Sequence, residues 1–231
     1  MREAILAALL LTAACAGTNA EPQPAPPAGA AAASYDLAAQ RARIARIPMA
    51  PNTAFLNAEE KDVVNLLIRA GDLMSEIYLR QRFADNPRIR AEIARSQHPQ
   101  KAALLDMFDL HFGPWDTLAE NHPFYGGEAM PAGAGFYPTD LTKEAFEAYL
   151  VANPGEKEAL TSGYTVVKRR GGKLVAVPYS IEYRQWLEPA ARLLEQAARR
   201  TSNASLRKFL TLRPRPSAPT IITNPSSPGW T

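Results

Sequence analysis

The chain has 231 residues, of which 46% are apolar and 8% aromatic, and its formal net charge is +3. That length suits one domain with room for a small second lobe, and the apolar share supports an ordinary core. The mild basic excess forms no long block with interleaved aromatics, so no nucleic-acid partner is expected, and a single cysteine, Cys15, excludes an intrachain disulfide.

Residues 1–20 read as an export signal. One Arg near the start precedes the apolar run Ala4 to Leu11, which is too short to span a bilayer. Thr12-Ala13-Ala14-Cys15 resembles a bacterial lipobox, which makes Cys15 the candidate lipidation site and the membrane anchor. Thr12 stands where an aliphatic residue is usual. Signal cleavage after Ala20, at Thr18-Asn19-Ala20, is a second reading, and a buried cytosolic cysteine is a third. Residues 21–34, EPQPAPPAGAAAAS, have no periodic apolar face and read as a tether. The expected location is therefore exported, either membrane-anchored or periplasmic.

Residues 35–213 read as the folded body. Asn57 can cap a helix with Glu60 three positions on, and Val63, Val64, Leu67, Ala70, Met74, Ile77 and Tyr78 then recur at steps of three and four. The spacing predicts a long helix to about Phe83. Pro87 suits the first turn of the next helix, with Asn86 or Asp85 as cap. A third helical run covers about Gln100 to Leu110. Residues 113–138 hold five glycines and four prolines, which excludes a helix, yet also carry Trp115, Phe124, Tyr125, Phe136 and Tyr137. Aromatics in such a loop need packing partners, so an ordered loop laid across the helices is expected.

A helix over Lys143 to Val151 follows, with Thr142 as cap. The β-rich runs Tyr164 to Arg170 and Lys173 to Val177 flank Gly171-Gly172, the pattern of a tight hairpin. Ser180 is the expected cap of a helix from about Ile181 to Arg200, with a kink at Pro189. A last helix covers roughly Ala204 to Leu212. The expected fold is mainly α (α+β): a helical lobe with one β-hairpin and a long aromatic Gly/Pro-rich loop.

Zinc hydrolysis needs His ligands gathered with a carboxylate around an open coordination position. The three histidines, His98, His111 and His122, lie in no HExxH, and structural roles are expected for them, with His111 satisfying carbonyls at a helix end. No GxSxG, phosphate-binding loop or acidic Nudix helix is present. Glu144 and Glu147 share one helix side and read as a solvated face.

Three segments carry a family resemblance: GPWD (Gly113 to Asp116), GAGFYPTDLTKEAFE (ending at Glu147) and GKLVAVPYS (Gly172 to Ser180). Together they resemble the amino-terminal part of dipeptidyl-peptidase III-type zinc metallopeptidases, family M49, as also found in the peptidase half of plant Nudix-fusion proteins. The resemblance covers roughly Phe55 to Arg213, with Gly135 standing where Asn is expected in relatives. It implies a helical lobe facing a zinc lobe across a peptide cleft, with Tyr125, Phe136 and Tyr137 as candidate substrate-facing residues and core packing as their other role. The family's zinc segment has no counterpart here, so no catalytic or metal residue carries over. The implied reading is a truncated, inactive member of an exported dipeptidyl-peptidase lineage, with no cofactor in this chain and with peptide as substrate only once completed. The alternative is a non-enzymatic, membrane-anchored helical binding lipoprotein.

The end of the chain changes character. Residues 214–231 are rich in Pro, Ser, Thr and Asn, and composition alone reads them as a disordered end. Suitable codons for this stretch, read in another frame, yield Asp-Tyr-Tyr-Glu-Ser and Trp-Leu-Asp, which the family carries at this point. A frameshifted tail is the expectation that follows.

Overall fold

The computed structural model describes residues 35–212. The expected signal, Cys15, the tether and the tail lie outside the described residues.

Helix α1 (Leu37–Ala42) is capped by Asp36, whose carboxylate accepts from the amides of Ala38 and Ala39. Arg41 ties it to Asp106 of α4, and Arg46 reaches the same carboxylate. The long helix α2 (Ala58–Arg82) begins with the capping box read from the sequence. The Asn57 side chain accepts from the Glu60 amide, and the Glu60 carboxylate accepts from the Asn57 amide. Helix α3 (Asn86–Arg95) starts at Asn86-Pro87. Helix α4 (Lys101–His111) ends at Phe112, which adopts a left-handed φ of 52°.

Asn86 is fully buried and joins these elements. Its Nδ2 donates to the carbonyls of Leu79 on α2, at 3.0 Å, and of Phe112 after α4, at 2.8 Å. Two carbonyls at helix ends thereby gain a donor that the helices themselves cannot supply.

Helix α5 (Lys143–Ala152) has the Thr142 hydroxyl accepting from the Ala145 amide. A 3₁₀ turn over Pro154–Glu156 and the short α6 (Lys157–Leu160) precede the main hairpin. Strands β3 (Thr165–Arg170) and β4 (Lys173–Pro178) pair antiparallel, with Arg170 opposite Lys173. Gly171 and Gly172 have φ of 55° and 78°, the two left-handed positions of a type I′ turn.

Three features differ from the sequence reading. A second small hairpin exists inside the aromatic loop, with β1 (Trp115–Asp116) against β2 (His122–Pro123). Two-residue strands leave no readable alternation, which is why the loop alone is legible in the sequence. The helix expected from Ile181 is split into α7 (Tyr179–Glu182) and α8 (Arg184–Arg200). Ser180 lies inside α7 and caps nothing. The division falls at Tyr183, whose buried ring is held beside Ile77, Val166 and Leu187, while α8 runs on through Pro189. Finally, α1 and α6 are too short to show a periodic face.

Helix α9 (Ala204–Leu212) completes the described chain. Val63 of α2 packs with Ala197 and Ala198 of α8 and Leu210 of α9. Further along, Ile77 meets Val166, Tyr183 and Leu187. Beneath the hairpin, Leu160, Val167 and Leu174 pack with Phe146, Tyr149 and Leu150. Helices α2, α5, α8 and α9 thus turn an apolar face inward, which stabilises them more than their intrinsic propensity does.

Candidate functional site

The aromatic loop between α4 and α5 is held at both ends of its path. The Gly135 amide donates to the Gln81 carbonyl at 2.9 Å, filling one of the open acceptors in the last turn of α2. One residue on, the Phe136 carbonyl accepts from the Val167 amide at 2.8 Å, joining the loop to β3. Trp115 is buried, and its indole N–H donates to the Glu128 carbonyl at 2.8 Å, closing the segment between them. The edge of Phe83 meets the Trp115 ring at a centroid distance of 5.4 Å.

This packing leaves a mainly apolar groove of about 580 Å³ lined by Phe83, Ile89, Trp115, Tyr125 and Met130, with Arg88, Glu92 and Glu128 at its margins. Arg88 is occupied by Asp85 and Glu92. The groove therefore suits an apolar or aromatic side chain better than a charged one.

The structure separates the three candidate substrate-facing aromatics. Tyr125 lines the groove. Phe136 is packed against the core around Ile77 and Tyr183, near Tyr179. Tyr137 lies against Phe146 at 5.2 Å, beside the hairpin core.

A buried polar cluster lies at the base of the loop, where His111 ends α4 and Asp116 ends β1. The Thr117 amide approaches His111 Nδ1 at 3.3 Å, and its hydroxyl lies 2.9 Å from the same nitrogen. An N–H donor makes Nδ1 an acceptor, so the neutral ring carries its proton on Nε2. That atom lies 3.5 Å from Asp116 Oδ1, too long for a good hydrogen bond. Burial pushes the His111 pKa down; Asp116 opposes the shift and Arg82 adds to it. The sequence reading had this ring satisfying helix-end carbonyls; instead it contacts Thr117 and staples α4 to the loop. Asp116 Oδ1 also accepts from the Leu118 amide at 2.8 Å. An Asp two residues before a turn amide is a recognisable turn signal, and GPWD contains it.

The histidines do not converge on a metal. The Gln100 amide donates to His98 Nδ1 before α4, His111 is stapled as described, and His122 lies on β2. Among the described residues no group of three His, Cys, Asp or Glu side chains lies close enough to hold a metal ion. Those residues do not fit a zinc centre.

The fold and loop together define a class: the body of this chain has the architecture of part of a dipeptidyl-peptidase III. The particular relatives are two solved structures. Dipeptidyl-peptidase III from Caldithrix abyssi is 40% identical, with a TM-score of 0.73 over 76% of this chain and 34% of that one. Its counterpart from Corallococcus sp. strain EGB is 32% identical, with a TM-score of 0.72 over 77% and 34%. Nudix hydrolase 3 of Arabidopsis thaliana is 25% identical across 78% of this chain and 30% of that protein. No family model matches the chain. The chain thus spans about a third of the length of the structures it matches.

Proposed function

We propose that this chain is one part of an exported, zinc-dependent dipeptidyl-peptidase architecture, supplying a helical scaffold and a peptide-facing groove but no zinc ligands. The supporting observation is the pairing of 40% identity with a span of only 34% of the matched structure. The scattered histidines agree with it. On this reading the polypeptide as given, a truncated member of the lineage, releases no dipeptides. Peptide would meet the groove at Tyr125, an aromatic on a loop clamped to α2 and β3, so its position is set before a ligand arrives. Export and anchoring through acylated Cys15 belong to the same proposal and rest on the lipobox-like sequence. The test is a dipeptidyl-naphthylamide assay of the full chain with added zinc. Release of naphthylamine that a chelator abolishes would overturn the reading.

A further inference from the structure

Helix α2 carries two stripes of apolar and small residues, and among the described residues only one of them is buried. Val63, Ala70 and Ile77 are buried toward α8 and its neighbours. A second stripe runs through Val64, Ile68, Gly71, Ser75 and Tyr78, at successive steps of four, three, four and three. In it Val64 is 39% exposed, Ile68 57% and Tyr78 48%. Gly71 and Ser75 are exposed as well, and a Cβ added at Gly71 would meet nothing within 4 Å. Tyr78 is braced edge-on by Phe112 at 4.9 Å, so one end of the stripe is already rigid.

Isolated surface apolar residues are common and carry no meaning. A stripe at the 3.5-residue period is different. It is the pattern by which one helix receives another, and small residues in the middle let the backbones approach closely. We infer that this second face of α2 is a docking surface for an amphipathic helix supplied by the remaining two-thirds of a dipeptidyl-peptidase III-type fold. The inference rests on the reading under Proposed function. The occupant follows from the span: the matched Caldithrix structure contains about twice as much chain again as this one covers. Val64 and Ile68 stand exposed one turn apart on this face, in line with the exposed part of Tyr78. The docking helix would present large apolar side chains opposite Gly71 and Ser75, filling the dip between Ile68 and Tyr78.

The test is co-expression of the full chain with an affinity-tagged polypeptide comprising the unmatched part of the Caldithrix abyssi enzyme, followed by capture on the tag. The unmodified chain is expected to co-purify in stoichiometric amount. Val64→Glu and Ile68→Glu should each reduce capture by at least about tenfold, because each places an unpaired charge in the contact. Val151→Glu, at an 83% exposed apolar site on α5, is the control and should leave capture unchanged. All three sites face solvent, so circular dichroism of the variants should match the parent. Absence of capture, or equal capture of all variants, overturns the docking surface. Self-association of this chain that the same two charges abolish also overturns it, since the occupant would be a second copy. Naphthylamide hydrolysis by the captured complex reads the functional proposal separately: capture without hydrolysis leaves the surface standing and counts against the peptidase reading.

Discussion

The backbone at Gly135 passes so close to Arg80 that a Cβ there would lie 1.9 Å from the Arg80 carbonyl oxygen. Only a residue without a side chain lets the loop donate its amide to Gln81 and lie flat on the end of α2. The constraint is steric and not conformational, since Gly135 has no positive φ. The geometry gives this glycine, which stands where Asn is expected in the resembled family, a steric reason to be here.

Gly135→Ala should therefore destabilise the chain by about 2–3 kcal/mol, since the clashing atom is backbone and cannot rotate away. Gly135→Asn should cost at least as much. Thermal melting of both variants checks this; a melting temperature within a degree of the parent would mean the loop moves freely.

His111 makes stability depend on pH in a defined direction. Its folded pKa is lowered by burial, so the unfolded chain takes up the proton first as pH falls. Stability from this group is then complete above the ordinary histidine value of about 6.5 and declines below it, with a limiting slope of about 1.4 kcal/mol per pH unit. Denaturant unfolding at several pH values between about 7 and 5.5 should show that slope shrink in His111→Gln, whose amide takes no proton in this range. An identical pH profile for parent and variant would show that His111 is not the responsible group.

The turn of the main hairpin gives a second backbone prediction. Cβ atoms at Gly171 and Gly172 would meet nothing within 4 Å, so only the positive φ of each residue matters. Gly171→Asn should be nearly neutral, because Asn tolerates the left-handed region. Gly172→Val should lose about 1–2 kcal/mol through the clash of Cβ with its own backbone. Equal melting temperatures for the two variants would argue against the I′ turn.

Much of this architecture is legible in the sequence, and the reasons are local. Asn57 and Glu60 announce a capping box, Thr142 a cap and Gly171-Gly172 a turn, because each device acts within a few residues of itself. What the sequence conceals is long-range. Asn86 is readable as a helix cap, but its side chain donates to one carbonyl on α2 and one just past the end of α4. Tyr183 looks like an ordinary helical residue, and tertiary packing around its ring sets the break there. The candidate aromatics show the same limit. Tyr125, Phe136 and Tyr137 lie close together in sequence, yet the clamp at Gly135 and Phe136 sends only the first to the groove.

On the proposed reading, zinc chemistry needs residues other than the three histidines of this chain. Equilibrium dialysis of the purified full chain against zinc, with bound metal measured per chain, tests it most directly. The account predicts no stoichiometric zinc, because His98, His111 and His122 are committed to separate elements and tight zinc sites need ligands positioned together with supporting contacts. One tightly held zinc per chain, lost when any one of these histidines is replaced, would contradict it.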